Sequence, residues 1–214
     1  MPAYGRLRAM TAERTAMRII LASQSPRRKQ LFTQIGIKNF EILVPRTDEE
    51  FDPSLSPEEI VSSICRKKGE AARALAGDPG AVIVAADTMV FLDGLRLGKP
   101  RTVEEAHGML SSLSGRTHHV CTGVTVCRGE RMETRTETTA VTFRHLEEEE
   151  IQAYIRSGEP FDKAGGYGIQ GKAALFVPRI EGDYFNVMGL PLSLLGRMLA
   201  DFGVSLFSEE EELP

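Results

Sequence analysis

The chain has 214 residues, of which 42% are hydrophobic and 26% charged, and its formal net charge is −4. This composition is that of an ordinary globular protein, and the length is sufficient to bury a sizeable core. No apolar run approaches the roughly 20 residues that span a bilayer, and general nucleic-acid binders are normally basic. We therefore expect neither a membrane nor a nucleic acid as partner, and any phosphate must be bound in a local pocket.

The two ends of the chain are predicted to lie outside a single domain. Residues 1–16 contain three arginines but no apolar segment long enough for a secretory signal. We expect a short disordered extension there, with a transit peptide as the alternative. The folded domain is predicted to cover residues 17–205, and residues 206–214 are predicted to form an acidic, disordered tail.

The three cysteines are predicted to be reduced. Cys65, Cys121 and Cys127 cannot all pair, and no Cys-x-x-Cys spacing is present. Cys121 and Cys127 would share a face of one strand but lie too far apart to bond. Because disulfides are rare in the cytosol, we expect a cytoplasmic protein with free cysteines in its core.

The first elements are predicted to be a strand, a tight turn and a helix. Ile19–Ala22 is a short apolar run of the kind that forms a buried strand. Ser25 followed by Pro26 signals a helix start, because the serine hydroxyl caps free N–H groups and proline has no N–H to leave unpaired at the first helical position. Leu31 and Ile35 then continue at roughly helical spacing.

Hydroxyls and cations crowd this turn. Ser23 and Ser25 lie close in sequence to Arg27, Arg28 and Lys29. Cations in a first helical turn oppose the helix dipole, and a bound anion would explain them, because free backbone N–H groups point to the same place. The sequence therefore indicates a site for a polyanion such as a phosphate chain. The alternative is a basic helix start that is simply solvated.

The rest of the chain alternates between predicted strands and helices. Clear local signals are the helix start at Ser56-Pro57 and the hairpin turn Asp93-Gly94. The predicted strands cover 40–44, 81–86, 89–92, 95–97, 117–127, 132–143 and 173–180, and the predicted helices cover 56–76, 102–113, 147–157 and 189–202. Because βαβ units are combined with hairpins, we predict one α/β fold with a mixed sheet.

Asp87 is the most informative acid in the chain. It follows the apolar run 81–86, and ligands of open α/β sheets bind at the carboxyl ends of strands. A carboxylate there can hold a divalent metal or activate a water, although it could also simply cap the following turn. Glu49 lies in an acidic run that would ordinarily be solvated. Paired with Asp87, it would complete an oxygen-rich Mg²⁺ or Mn²⁺ site that shares substrate phosphates.

Two lysines and a glycine-rich segment are further candidates for ligand binding. Lys68 lies on a predicted helix among other basic residues, where a solvated face is the alternative, whereas Lys99 is held between glycine and proline. Four glycines within residues 165–171 let the backbone approach a ligand closely, and Gln170 can both donate and accept at the edge of a base. A flexible loop is the alternative reading of that segment. The four histidines show no metal-ligand pattern.

A series of motifs in this order resembles the Maf family of nucleoside triphosphate pyrophosphatases. The opening pattern Leu-Ala-Ser-x-Ser-Pro-Arg-Arg is complete at residues 21–28. The other matching segments are 48–49, 86–88, 98–100, 122–124, 163–171 and 186–192. The resemblance covers about residues 18–202 and implies a Maf/ITPase-like fold, an elongated mixed β-sheet flanked by helices with two lobes around a central cleft. Members of the family are often homodimers, so a homodimer is expected.

At three places the chain is similar to one subgroup of that family, which acts on dTTP and UTP. These places are Pro-Arg-Arg, Ala-Asp-Thr and Gly-Ile-Gln-Gly. The sister subgroup that acts on 7-methyl-GTP differs at all three. The resemblance therefore implies hydrolysis of dTTP and UTP to the monophosphate and pyrophosphate, as a house-cleaning enzyme. The alternatives are a preference for CTP or 7-methyl-GTP, or a nucleotide-binding regulator of septum formation with little turnover.

The resemblance also implies a role for each candidate residue. Asp87 would be the proton acceptor and, together with Glu49, would hold a divalent metal. Arg27, Thr88 and Gln170 would set the choice of base. The remaining substrate-binding residues would be Ser23, Ser25, Arg28, Lys68 and Lys99, whose cations would face the phosphates. Gly69 stands where the family usually has alanine, which is expected to weaken a helix slightly.

Overall fold

The computed structural model describes residues 17–47, 50–52 and 54–207. Its elements are β1 (Ile19–Ala22), α1 (Pro26–Gln34), β2 (Glu41–Ile42), α2 (Pro57–Ala76), β3 (Val82–Leu92), β4 (Leu95–Leu97), α3 (Val103–Leu113), β5 (Thr117–Arg128), β6 (Arg131–Thr142), α4 (Glu148–Arg156), β7 (Arg179–Glu181), α5 (Tyr184–Met188) and α6 (Leu192–Asp201). The described strands form a seven-stranded sheet in the order β2-β1-β3-β5-β6-β7, with β4 paired to β3. β1 is parallel to β2 and β3, and the other pairs are antiparallel. The predicted α/β fold with a mixed sheet is confirmed.

The two edges of β3 are covered differently. One edge pairs with β5 from Ile83 to Phe91. The other edge pairs with β1 over residues 82–85 and with β4 over residues 90–92. Residues 86–89 therefore lie at a gap in this edge, where none of the described strands pairs with β3. The backbone groups in such a gap need other partners, and Asp87 lies within it.

Apolar side chains cover both faces of the sheet. One face packs under α2. The other face carries two separate apolar clusters: one contains Val82 and Val84 with residues of α1 and α6, and the other contains Val90 and Leu92 with residues of α3 and α4. Because the two clusters contact opposite ends of β3, the gap lies between them. This arrangement agrees with two lobes around a cleft.

Sequence signals fix both ends of α2. The Ser56 hydroxyl accepts from the backbone N–H of Glu59, and the Glu59 carboxylate accepts from the backbone N–H of Ser56 at 2.9 Å. This capping box satisfies two donors that a helix start otherwise leaves unpaired. At the other end, Gly77 adopts the left-handed conformation with φ 61°. The predicted helix is confirmed, and it carries Lys68 to the sheet.

Two glycines let α2 and the sheet approach each other closely. A Cβ at Gly123 of β5 would lie 2.8 Å from the carbonyl oxygen of Val61, and a Cβ at Gly69 of α2 would lie 2.6 Å from Cγ2 of Thr125. A real Cβ at either distance would force the neighbouring atoms to shift, so both glycines favour the close packing of α2 on the sheet. The expectation that Gly69 simply weakens the helix was therefore incomplete, since its main effect is on packing.

We expect Gly69→Ala to destabilise the protein even though alanine has the higher helix propensity. The propensity gain is about 1 kcal/mol, whereas overpacking a buried contact costs about 1–3 kcal/mol. Thr125 cannot easily turn away, because it is buried and its hydroxyl lies 2.8 Å from that of Thr134. Urea unfolding should show a net loss of about 1 kcal/mol. In a Thr125→Ser background, which lacks only the obstructing methyl, Gly69→Ala should instead raise the free energy of unfolding. A decrease in both backgrounds would contradict the packing argument.

The structure corrects the predicted position of Asp87 in its strand. The prediction that a strand ends just before Asp87 was wrong, because β3 continues to Leu92 alongside β5. Asp87 lies instead just beyond the end of β1, whose last residue, Ala22, pairs with Ala85. The change from apolar to polar residues at Asp87 therefore marks the end of the neighbouring strand.

Three other element predictions were wrong. Only Glu41–Ile42 forms the second strand. The predicted strand 173–180 is a 3₁₀ helix over Lys172–Phe176 followed by β7, because its apolar residues turn into the cluster on α3 and α4 and do not alternate between two faces. The predicted helix 189–202 begins only at Leu192, and the short helix α5 precedes it.

Several predictions concern the cysteines and the chain ends. All three cysteines are buried and free, as predicted. Residues 1–16 and 208–214 lie outside the described residues, so the extension and the tail stay predictions. Among the described residues, no helix has the length and the apolar character that a membrane span requires.

Candidate active site

A large cleft opens at the gap in β3. Its volume is about 1770 Å³, and it is bordered by the turn between β1 and α1 on one side and by the glycine-rich segment after α4 on the other. Nine of the ten predicted site residues line it: Ser23, Ser25, Arg27, Arg28, Lys68, Asp87, Thr88, Lys99 and Gln170. The tenth, Glu49, lies outside the described residues. Arg27 and Asp87 thus share one cavity, as the sequence interpretation requires.

Asp87 and Lys68 form a sheltered ion pair in the cleft. Lys68 Nζ lies 2.5 Å from Asp87 Oδ1, and the two side chains are only 17% and 14% exposed. Water and salt screen a sheltered pair less than a surface pair. Because α2 is packed closely on the sheet, Lys68 can hold the carboxylate in one orientation. A fixed carboxylate of this kind is suited to accept a proton from water or to bind a cation.

Arg28 fills the gap in the edge of β3. Its hydrogen bonds run from Nη1 to Ala86 O (2.8 Å) and Ser23 Oγ (3.2 Å), from Nη2 to Thr88 Oγ1 (2.9 Å), and from Nε to Gly189 O (2.7 Å). Four of its five N–H groups are therefore directed at protein oxygens. Removal from water lowers the pKa of Arg28, and the negative charge of Asp87 opposes that shift. Arg28 was predicted to face phosphates, but this geometry makes it a clamp on the residues either side of Asp87.

The two serines of the first turn accept hydrogen bonds from the protein. Ser23 Oγ accepts from the backbone N–H of Ser25 at 3.2 Å, and Ser25 Oγ accepts from the backbone N–H of Arg28 at 3.5 Å. Ser25 is therefore the N-cap of α1, as predicted. A hydroxyl that accepts still has its proton to donate. Both serines can thus donate to an anion near the positive end of the helix dipole.

A series of buried hydrogen bonds supports Thr88. Thr88 Oγ1 lies 3.0 Å from Thr122 Oγ1, and Thr122 donates to the carbonyl oxygen of Asn186 at 3.2 Å. Asn186 Nδ2 in turn donates to Val120 O and Thr139 Oγ1, both at 2.9 Å. Buried polar groups are costly unless they are hydrogen-bonded. These hydrogen bonds therefore fix the turn in which Gly189 supplies its carbonyl oxygen as an acceptor to Arg28. The motifs 122–124 and 186–192 therefore have a supporting role that the sequence did not reveal.

Glycine geometry shapes the opposite wall of the cleft. Gly165 has φ +71°, and a Cβ there would lie 3.0 Å from Cγ1 of Val90. Its N–H donates to the carbonyl oxygen of Gly98 at 2.9 Å. This contact joins the segment that carries Gln170 to the turn that carries Lys99. Both side chains line the cleft.

Two tyrosines anchor the glycine-rich segment. The hydroxyl of Tyr167 lies 2.7 Å from Nε2 of the buried His118, and the hydroxyl of Tyr154 accepts from the backbone N–H of Gly168 at 3.2 Å. Burial, together with the charge of His119, lowers the pKa of His118 to about 4. His118 is therefore neutral near pH 7, and its contacts give it an anchoring role.

One ion pair crosses the mouth of the cleft. Arg27 Nη1 lies 3.3 Å from Oδ2 of Asp162, which belongs to the 3₁₀ turn Glu159–Asp162 on the opposite wall. The other carboxylate oxygen, Oδ1, accepts from Lys163 Nζ at 2.5 Å. No local sequence signal indicates this pair, because its two members are separated by 135 positions.

The cleft is strongly cationic. Of the described residues that line it, eight are lysine or arginine and three are acidic, although the whole chain carries a net charge of −4. Such a concentration of positive charge attracts polyanions. Sequence reasoning missed four of these cations: Arg46, Arg96, Arg101 and Lys163. Arg101 adjoins a recognised motif and Lys163 lies inside one, so both could have been found, whereas isolated arginines such as Arg46 and Arg96 give no signal.

One acid of the cleft, Asp87, fits a metal that binds together with substrate. The described residues contain no group of three or more His, Cys, Asp or Glu that could hold a metal. Mg²⁺ commonly takes only one or two protein carboxylates and completes its shell with water and substrate phosphates. Asp87, sheltered in a cationic cleft, is a carboxylate of this kind.

The fold and the cleft together define the class of protein. It is an α/β protein whose mixed sheet carries a cationic cleft with a carboxylate–lysine pair inside. A family model described as Maf-like protein matches residues 18–202. The chain therefore belongs to the Maf family, as its motifs indicated.

Curated relatives are similar over almost their whole length. A dTTP/UTP pyrophosphatase of Bacillus velezensis is 50% identical over 187 residues, which cover 87% of this chain and 97% of that protein. Proteins of the same name from Carboxydothermus hydrogenoformans and Symbiobacterium thermophilum are 51% and 47% identical, covering 87% and 89% of this chain and 100% and 96% of theirs. A solved structure of a HAM1 protein from Coxiella burnetii aligns with a TM-score of 0.46 and 14% identity, covering 86% of this chain and 99% of that one.

Proposed function

We propose that this protein hydrolyses dTTP and UTP to the nucleoside monophosphate and pyrophosphate. The observation that carries the proposal is the position of the Asp87–Lys68 pair in a cleft lined by eight cations. Those cations suit the charge of a triphosphate chain, and the pair suits the activation of water. Relatives named dTTP/UTP pyrophosphatase, about 50% identical to this chain, support the choice of substrate.

Asp87 is the proton acceptor of the proposed reaction. It orients a water for in-line attack on the α-phosphorus and takes its proton, while Lys68 keeps the carboxylate in place. Lys99 and the hydroxyls of Ser23 and Ser25 stabilise the charge that collects on the leaving pyrophosphate. A divalent metal, Mg²⁺ or Mn²⁺, held by Asp87 and Glu49 would supply Lewis-acid neutralisation of the phosphate oxygens.

The choice of base is assigned to Arg27, Thr88 and Gln170. At their Watson–Crick edge, uracil and thymine present one N–H donor between two carbonyl acceptors. A side-chain amide can accept from that donor through its oxygen and donate to a neighbouring carbonyl through its nitrogen. A rotated amide also matches cytosine, so Gln170 alone does not exclude CTP. The guanidinium of Arg27, which pairs with Asp162 before a nucleotide enters, and the supported hydroxyl of Thr88 would then provide the discrimination.

The cellular setting is part of the proposal. The free, buried cysteines support a cytoplasmic enzyme. A homodimer follows from the resemblance to the family. We also propose that residues 17–205 form the single catalytic domain, without a membrane or nucleic-acid partner.

A panel of triphosphates tests the proposed function. With Mg²⁺ or Mn²⁺ supplied, kcat/KM for dTTP and UTP should exceed that for CTP and 7-methyl-GTP by about tenfold or more, the effect of one or two well-placed polar contacts. Ion chromatography should detect pyrophosphate and the monophosphate. Orthophosphate with the nucleoside diphosphate would rule out the proposed bond cleavage, and tight nucleotide binding without turnover would favour the regulator of septum formation.

A further inference from the structure

Arg27 is held by an acid of the protein itself. The proposed function assigns Arg27 to the substrate, yet its Nη1 lies 3.3 Å from Oδ2 of Asp162. The two residues come from opposite walls of the cleft, one from the first turn of α1 and the other from the turn after α4. A nucleotide group that reaches the same guanidinium must compete with this carboxylate.

Asp162 has a second partner that would keep it satisfied. Its Oδ1 accepts from Lys163 Nζ at 2.5 Å, and Lys163 is itself fixed by donation to the carbonyl oxygen of Glu159 at 2.7 Å. The stem of Lys163 lies against Gly168, where a Cβ would be 2.5 Å from its Cε. Lys163 therefore stays in place when the contact with Arg27 is broken, and the carboxylate keeps an ionic partner.

The charge and the exposure of Asp162 indicate that its pair with Arg27 is ionised but weak. Burial disfavours the charged form of Asp162, but the hydrogen bond and charge of Lys163 and the charge of Arg27 outweigh it, so the pKa of Asp162 lies below its ordinary value. The carboxylate is therefore ionised near pH 7. The pair with Arg27 is exposed at the mouth of the cleft, with side chains 32% and 65% exposed. Exposed pairs of this kind are weak, so a polyphosphate can displace the carboxylate.

We propose that Asp162 is a resident counter-ion of Arg27. An incoming nucleotide displaces its carboxylate from the guanidinium, and the carboxylate returns as the products leave. Asp162 is thereby a determinant of affinity that acts through Arg27. The role of the nucleotide rests on the proposed function, which assigns Arg27 to the base. The displacement also applies to a polyphosphate, because Arg27 lies in the cationic first turn of α1 beside Ser25, whose hydroxyl can donate to an anion.

Asp162→Asn tests this proposal, because it removes the charge and keeps the shape. Isothermal titration calorimetry with inorganic tripolyphosphate should give a Kd about two- to fivefold lower than that of the wild type, the range expected for loss of one exposed ion pair. The KM for dTTP should fall by a similar factor, and inhibition by pyrophosphate should strengthen. An unchanged or raised Kd for tripolyphosphate, or no binding to either protein, would overturn the proposal.

Two controls separate the specific contact from general electrostatics. Asp201→Asn removes an equivalent charge that pairs with Arg135 at the same distance of 3.3 Å, away from the cleft, and should leave the Kd unchanged. In an Arg27→Gln background, Asp162→Asn should no longer tighten binding; equal tightening there would show that Asp162 acts only as a bulk charge, against the proposal. Asp162→Ser should repeat the result of Asp162→Asn.

The two proposals can fail separately. Binding of tripolyphosphate does not require turnover. If wild-type protein hydrolyses no dTTP but Asp162→Asn still binds tripolyphosphate more tightly, the proposed function fails while the counter-ion stands. If dTTP is hydrolysed normally and the substitution changes neither constant, only the counter-ion proposal fails.

Discussion

Asp87→Asn is expected to lower kcat for dTTP by about 10²–10⁴-fold, the range associated with the loss of a general base. Asparagine has the same shape but can neither take the proton of water nor hold a divalent metal as a carboxylate does. Substrate binding should persist, because the cations that line the cleft remain. Steady-state kinetics measures the loss, and calorimetry with dTTP measures the binding.

Asp93→Asn is the matched control for this substitution. Asp93 follows β3 at the hairpin turn and pairs with Arg116 outside the cleft. The same chemical change there should leave kcat within about twofold, as is usual for surface positions. Near-normal turnover of Asp87→Asn would remove Asp87 from its catalytic role, whatever the control shows.

Arg28→Lys is expected to lower both stability and turnover, although it preserves the charge. The guanidinium reaches four protein oxygens around Asp87 in a fixed fork, which the three donors of a lysine ammonium cannot reproduce. Buried acceptors left without a donor cost about 1–3 kcal/mol each. Because neighbouring groups and water can compensate in part, we expect a total loss of about 3 kcal/mol in urea unfolding. The melting temperature should fall by about 6–12 °C.

The same substitution distinguishes a clamp from a phosphate-facing cation. If Arg28 mainly faced the phosphates, lysine would largely preserve stability and the change would appear in KM. A clamp predicts the reverse, with a reduced kcat and little change in KM, because Asp87 loses its alignment. Arg27→Lys is the control, since the partly exposed Arg27 should change stability by no more than about 0.5 kcal/mol. Equal stabilities for Arg28→Lys and the wild type would contradict the clamp.

Local signals in the sequence were sufficient for most element boundaries. Ser25-Pro26, the capping box at Ser56 and the Asp93-Gly94 turn are each fixed by interactions within a few residues, so the sequence contains all the information they need. The strand predicted at 173–180 failed because its outcome depends on a distant apolar cluster. The apparent strand end at Asp87 failed for the same reason, since β5 decides how far β3 continues.

The candidate site could be predicted as a set of residues but not as a set of contacts. The family motifs identify nine residues that line one cleft. The partners of those residues lie far away in sequence: Gly189 is 161 positions from Arg28, and Asp162 is 135 positions from Arg27. The roles of Arg28 as a clamp and of Gly69 as a packing residue depend on such contacts, so only the folded chain reveals them.

Hydrolysis of dTTP in water enriched in oxygen-18 tests most directly whether the cleft activates water against the α-phosphorus. Mass spectrometry of the products locates the label. If water held by Asp87 attacks the α-phosphorus, the label appears in dTMP and the pyrophosphate remains unlabelled. Label in pyrophosphate, or the release of labelled orthophosphate, would contradict the account.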